Sequence, residues 1–265
     1  MRDDKIKNAW EKRSSIFKNS KRAVLEQSFP KDLLTYFHKK HVEEILDVIP
    51  KKKFRCLDIG CGYGRIAKEI ILANPQAFVN GLDISPNFVD LFNSNLGSKG
   101  RGQVGNAKKL PYESNLFDIV IIVVSFMYLE TRNDQAKAMR EIFRVLKPGG
   151  KLVMIEPNKV GQNIIKLWGI LPFIYRSLLR KQKVETFGIF FEWMTIDNLI
   201  KQMGGKLIEK KGYPFLTIAL SCLVMLGKIS FFPVGRILAI IDFLDKKITM
   251  SRFSYVVTYV AEKRK

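Results

Sequence analysis

Leu57-Asp58-Ile59-Gly60-Cys61-Gly62-Tyr63-Gly64-Arg65 is the stretch whose reading decides the fold. Residues 54–59 read as a buried parallel strand and residues 65–72 have helical spacing, so three alternating glycines fall at a strand-to-helix turn. Such a turn lets a ligand touch backbone. Glycine has no Cβ to hold the ligand off, and the N–H groups that open the helix offer donors at a positive dipole end. The dinucleotide fingerprint Gly-x-Gly-x-x-Gly needs glycine where Arg65 stands, and here the third glycine comes one place early. A nicotinamide dehydrogenase is therefore disfavoured.

Alternating strands and helices continue outward from this turn. A second strand is expected at residues 78–84 and a helix at 86–95, then a mobile glycine-bearing connection around 97–102 and a short third strand at 103–105. The apolar run 117–125 suits a fourth strand buried on both faces and is too short to span a bilayer. Residues 131–146 form a helix stopped by Lys147-Pro148-Gly149-Gly150, and 152–155 a fifth strand. Strands six and seven are expected at 206–215 and 253–261, around a helix that begins near Thr195-Ile196-Asp197. The order implies an α/β fold with a doubly wound, mostly parallel sheet of seven strands.

Several segments now fall into a known sequence order. An acid stands two residues before the first glycine, and Asn80-Gly81-Leu82-Asp83-Ile84-Ser85 follows at the end of strand two. Gly105-Asn106-Ala107 comes next, then Leu110-Pro111-Tyr112 and Asn115-Leu116-Phe117-Asp118. Last comes Glu141-Ile142-Phe143-Arg144-Val145-Leu146-Lys147-Pro148-Gly149-Gly150-Lys151-Leu152. In this order they resemble the class I S-adenosylmethionine-dependent methyltransferases, and the last segment resembles the type-11 subgroup of small-molecule and quinone methyltransferases. The resemblance covers residues 53–158 and, more weakly, 193–265.

It implies a Rossmann-like methyltransferase fold with S-adenosylmethionine as cofactor and S-adenosylhomocysteine as product. By the same resemblance the methionine end of the cofactor packs on Gly60, Gly62 and Gly64, with Asp58 holding its ammonium. Asp83 takes both ribose hydroxyls, which one carboxylate can accept together. Ile84 gives an apolar face to adenine, with Ala107 and Ser125 completing the cofactor wall. Asn106 stands where the family often has aspartate; its amide oxygen can accept from the adenine amino group, though a neutral acceptor bonds more weakly.

A chain of 265 residues with 47% hydrophobic content can bury one α/β core with additions. The expected organisation is an N-terminal helical cap at 1–50 and a methyltransferase domain at 51–265, with lid inserts at 157–194 and 216–252. Residues 1–22, read as a surface helix or loose arm, have no apolar run of the kind a secretory signal needs. The helix expected from residue 30 to 50 is the one that covers the cofactor in related methyltransferases. Cys56, Cys61 and Cys222 show no metal-ligand spacing, so no metal site is expected and a reducing cytoplasm is.

The net charge of +20 raises affinity for polyanions without choosing between nucleic acid and an anionic leaflet. Placement favours the leaflet. Both inserts mix apolar with basic residues and leave strands five and six at the carboxyl edge, where open α/β sheets bind ligands. An apolar, basic helical lid there suits a small lipophilic acceptor and a peripheral place on the inner face of a membrane. Packing of the two inserts on each other as a plain lid stays open beside that reading. Tyr128 is the first candidate for an acceptor contact, followed by Glu130 and His41; His38 and His41 are the only histidines. Two alternatives remain, an RNA methyltransferase and a non-catalytic S-adenosylmethionine-binding protein. Against the first, the place after strand four reads Ser125-Phe126-Met127-Tyr128, not the Asn/Asp-Pro-Pro-aromatic tetrad of enzymes that methylate base nitrogens.

Overall fold

The computed structural model describes residues 2–25, 29, 31–129, 131–161, 163, 195–213, 237, 239, 240, 243, 244 and 254–264. Its centre is a seven-stranded sheet of β1 (Arg55–Ile59), β2 (Phe78–Asp83), β3 (Gly100–Val104), β4 (Phe117–Val123), β5 (Leu146–Pro157), β6 (Gly205–Tyr213) and β7 (Val256–Lys263). The spatial order is β3-β2-β1-β4-β5-β7-β6, parallel except for β7, which runs antiparallel to both its neighbours. The doubly wound, mostly parallel sheet expected from the sequence is therefore present.

Strand residues alternate between two cores. Cys56, Ile119, Ile121, Val153 and Ile155 face one side, with helices α3 (Lys31–Leu46) and α4 (Arg65–Ala73) packed there. Leu57, Val120, Ile122, Leu152 and Met154 face the other, against α6 (Arg132–Val145) and α7 (Thr195–Gln202). Burial on both faces is why these strands read as unbroken apolar runs. Helix α5 (Pro86–Leu96) begins at an N-cap Ser85 whose Oγ accepts the Phe88 N–H, with Pro86 at the first helical position.

Three local readings change. The glycine-bearing connection at 97–102 contains most of β3, because α5 lies so close that a Cβ at Gly100 would meet Leu96 Cδ2 at 2.6 Å. Strand β5 begins at Leu146, and the Pro-Gly-Gly stop signal is absorbed into it as an irregularity with Gly149 at φ +73°. The third concerns the cap. Helix α3 buries Leu33, Leu34, Phe37, His41 and Ile45 as its spacing foretells, but it packs on α4 and lines no part of the cavity described below. Instead α1 (Arg2–Phe17), in the stretch read from sequence as a surface helix or loose arm, is a helix that packs on α5 and on α2 (Lys21–Val24) and covers the cavity.

Most of both inserts lies outside the described residues, as does Glu130. Their attachment points are described: Pro157, Val256 and Tyr213 share one row across β5, β7 and β6, at the carboxyl edge. Of the second insert, Ile237 packs against the α3-side core, whereas Ile240 and Phe243 are 60% and 57% exposed. Among the described residues no helix is long and apolar enough to cross a membrane.

Candidate active site

At the carboxyl ends of β1, β2 and β4 lies a cleft of about 880 Å³, counted with its solvent-open mouth. Its floor is Ile59, Gly60, Gly62, Asp83, Ile84, Gly105, Asn106 and Ala107; its other wall is Ile122 to Phe126, Tyr128 and Leu129, with Ile6 and Trp10 of α1, Val24 and Phe88 closing over it. The sheet produces this crevice because the chain winds outward from β1 through β2 to β3 on one side and then crosses back past β1 to β4 on the other.

All three glycines of the turn have positive φ, +74° at Gly60, +51° at Gly62 and +81° at Gly64, where L side chains are strained. A Cβ at Gly60 would stand 2.1 Å from Ser125 Oγ, so the turn and the segment after β4 meet at van der Waals contact. Gly64 serves a different purpose from the one expected. It opens α4 in a left-handed conformation against Phe92 and Leu96, outside the cleft. The donors of the turn are also largely spoken for. Gly60 and Cys61 N–H both donate to Leu82 O, Gly64 N–H to Cys61 O, and Gly62 N–H to Asp83 Oδ2 at 2.9 Å. Close approach to a ligand here rests on missing side chains and not on spare N–H groups.

Asp83 ends β2 inside the cleft, its Oδ1 accepting the Ser85 N–H at 3.0 Å as Oδ2 accepts that of Gly62. Burial pushes its carboxyl up to about 6, against the opposing pull of those N–H groups. Each oxygen of an ionised carboxylate accepts more than one hydrogen bond, so capacity remains on both. Asn106 lines the cleft with its Oδ1 accepting the Lys108 N–H at 3.0 Å, a local turn that shares the oxygen expected to face an adenine amino group. The loop behind it is fixed by Arg144, which pairs with Glu141 and donates to Leu110 O and Tyr112 O, while Glu141 accepts the Leu110 N–H.

Asp58 is buried in β1 and does not line the cleft; burial raises its carboxyl to about 7, with Arg65 pulling the other way. Arg65, the residue that breaks the dinucleotide fingerprint, is itself buried and donates to His38 Nδ1 at 2.9 Å and His41 Nδ1 at 3.3 Å. Burial and that guanidinium hold His38 down to about 4 and His41 well below its usual value. His41 is thus a neutral acceptor on the buried face of α3 and does not line the cleft. The expectation of a base or acceptor contact there is corrected.

Tyr128 lies in the cleft wall, with Trp10 edge-on to it at 5.2 Å and Arg13 stacked 4.9 Å over the Trp10 ring. Sequence reasoning missed Trp10 and Ile6. Their spacing on one face of a charged segment was the available signal, but the weak amphipathicity of α1 hid it.

Glycine turn, strand-two acid and carboxyl-edge cleft together define an α/β domain with a ligand crevice at its topological switch point. Residues 57–154 match the family model described as a methyltransferase domain. A demethylmenaquinone methyltransferase of Lactococcus lactis is 36% identical over 169 residues, which is 58% of this chain and 66% of the relative. A sterol 4-C-methyltransferase of Caenorhabditis elegans is 34% identical over 121 residues, 44% of this chain and 34% of the relative. The chain thus spans between 34% and 66% of the length of these two relatives. In fold it is similar to the magnesium protoporphyrin IX methyltransferase of Synechocystis PCC 6803 with bound S-adenosylhomocysteine, with TM-score 0.63 over 99% of each chain at 14% identity.

The chain belongs to the class I S-adenosylmethionine-dependent methyltransferases, in the type-11 group. S-adenosylmethionine is the cofactor of that family. The residues present fit it, since the cleft offers a carboxylate with acceptor capacity beside a backbone bend without side chains.

Proposed function

We propose that this protein transfers a methyl group from S-adenosylmethionine to a small lipophilic acceptor drawn from a membrane surface. The observation that carries the reading is the asymmetry of the cleft. Part of its lining is glycine-turn backbone with Asp83 and Asn106, and part is apolar and aromatic: Phe126, Tyr128 and Leu129 after β4, with Trp10 and Phe88 closing over them. The first suits a nucleoside and the second a flat or greasy acceptor. The names of the relatives, which specify a demethylmenaquinone and a sterol, agree with that chemistry.

In this reading Asp83 accepts the ribose hydroxyls, Ile84 and Ala107 enclose the adenine, Asn106 accepts from its amino group, and Gly60, Gly62 and Ser125 border the methionine end. Asp58 and Gly64 support the turn from outside the cleft. Bound S-adenosylmethionine supplies the methyl on a sulfonium, already an activated leaving group. What remains for the chain is orientation and exclusion of water, and orientation alone contributes on the order of 7–11 kcal/mol in well-aligned cases. Tyr128 contacts the acceptor, and Trp10 shuts the cleft from above.

Access from a membrane is supported by the shared carboxyl-edge exit of both inserts, by the exposed Ile240 and Phe243, and by the net charge. Each basic residue close to an anionic leaflet adds about 1 kcal/mol. The test is incubation with radiolabelled methyl donor and a total lipid extract, alongside sedimentation with anionic and neutral vesicles. Label in the lipid phase and salt-reversible sedimentation with anionic vesicles are expected. No label in lipid, with label entering RNA, would overturn the acceptor class.

A further inference from the structure

Strand β4 ends in a strained corner. Val124 has φ +54°, a left-handed conformation that a β-branched residue adopts at a steric cost, and it lines the cleft. Beyond it the chain turns through a short 3₁₀ segment, Phe126–Tyr128, that delivers Phe126, Tyr128 and Leu129 to the acceptor-side wall. Strain of this kind persists only where the surroundings over-determine it. Here the surroundings are one side chain and one strand. Val124 N–H donates to Ile155 O at 2.8 Å, and Glu156, the next residue of β5, takes three consecutive backbone N–H groups. Its Oε1 accepts from Ser125 at 2.9 Å and Phe126 at 2.8 Å, and its Oε2 from Met127 at 3.2 Å.

We propose that Glu156 is a positioning residue for methyl transfer: its buried carboxyl group clamps the strained turn after β4 against the glycine turn and so fixes where the acceptor wall stands. The inference rests on the reading of the cleft as the methyl-transfer site. Contact between Ser125 and Gly60 transmits the clamp, because the Ser125 N–H is held by Glu156 while its Oγ fills the space a Gly60 Cβ would need. For stability alone an acid is a poor choice at this place. It is 1% exposed, and burial pushes its carboxyl up to about 8 in spite of three donors. A carboxyl group, ionised or neutral, nonetheless presents two acceptor oxygens and so takes all three N–H groups at once, which an amide with a single oxygen does not. Gln135 secures the far end of the same segment by donating to Leu129 O at 2.9 Å, so the wall is held at both ends.

The test compares Glu156→Gln and Glu156→Leu with the unmodified chain by amide hydrogen exchange, by calorimetric binding of S-adenosylhomocysteine, and by turnover with a total lipid extract. Glu156→Leu leaves three N–H groups without an acceptor, and the amides of residues 125–127 should exchange at least about tenfold faster. Affinity for S-adenosylhomocysteine, whose ribose and adenine partners Asp83, Ile84 and Asn106 lie outside the clamped turn and only Ser125 within it, should fall by no more than a few-fold, well short of the loss in turnover. Turnover should fall about tenfold or more while KM for the methyl donor holds, and Glu156→Gln, which keeps the Oε1 bonds, should restore most of both effects. Unchanged exchange at 125–127 in Glu156→Leu refutes the clamp. Faster exchange with full turnover refutes the positioning role. If Glu156→Leu fails to fold, the Met127 amide of Glu156→Gln decides: it loses its Oε2 acceptor and should exchange faster, and wild-type exchange at that amide refutes the clamp. Absence of turnover in the unmodified chain sinks the acceptor reading alone, and the exchange comparison then decides the clamp by itself.

Discussion

If Asp83 holds the ribose, S-adenosylhomocysteine should bind in a way that titrates with that one carboxyl. Its folded value of about 6 lies above the ordinary 3.8 because burial disfavours the charged form. Hydroxyl donors need the ionised form, so the apparent Kd should be flat from pH 8 to 7 and rise as pH falls through 6, by about tenfold at pH 5. Stability of the unliganded protein has the opposite sign. A raised carboxyl favours the folded state fully below pH 3.8, and that contribution is lost as pH rises through about 6. For a fully buried group, a rise from 3.8 to about 6 corresponds to about 3 kcal/mol.

Asp83→Asn separates the two effects. It removes the buried charge, and it turns an NH₂ toward the Gly62 or the Ser85 N–H at a cost of about 1–3 kcal/mol. These offset, so the variant should melt within a few degrees of the parent at neutral pH. Its affinity should nonetheless be about ten- to a hundredfold weaker there, the loss of one charge-assisted acceptor, and the difference should shrink toward pH 5. Calorimetry between pH 5 and 8 on both proteins measures this. A pH-independent Kd in the parent, or an Asn variant that binds as tightly as the parent at pH 7.5, would refute the reasoning.

Gly60→Ala should be more severe than its size suggests. It adds a side chain at φ +74°, worth about 1–2 kcal/mol of strain, and drives Ser125 off its place, so binding of S-adenosylhomocysteine should weaken about tenfold or more. Trp10→Ala opens the cleft from α1; stopped-flow dissociation of S-adenosylhomocysteine should accelerate several-fold with the far-ultraviolet spectrum unchanged, and an unaltered rate would show that α1 does not close the site. Arg144→Ala strands Leu110 O and Tyr112 O, so limited proteolysis should cut within 107–116 and the melting temperature should fall by an amount matching about 1–3 kcal/mol.

Much of this architecture is written in local pattern. Alternation of β1, β4 and β5 between two buried faces appears in the chain as apolar runs of strand length, and Ser85-Pro86 announces α5. Asp83 was singled out through the family resemblance, and the structure places it at the end of β2 in the cleft. Other features depended on what the chain meets far away. Gly100 looks like a linker residue until α5 is laid on it, and α1 looks like an arm until Trp10 finds Tyr128. His41 had the chemistry of a base, yet α3 turns it toward Arg65, and a desolvated imidazole beside a guanidinium stays neutral.

By itself, then, the sequence determined the βαβ repeat, the bend at Gly60 to Gly64 and the acid that follows it, because period and backbone freedom are encoded by neighbours along the chain. Only the tertiary structure decided which N–H groups of that bend remain for a ligand, which helix closes the cleft, and that Glu156 reaches the turn after β4. Those outcomes rest on burial and on hydrogen bonds mostly between residues about 20 or more positions apart, for which no local pattern exists.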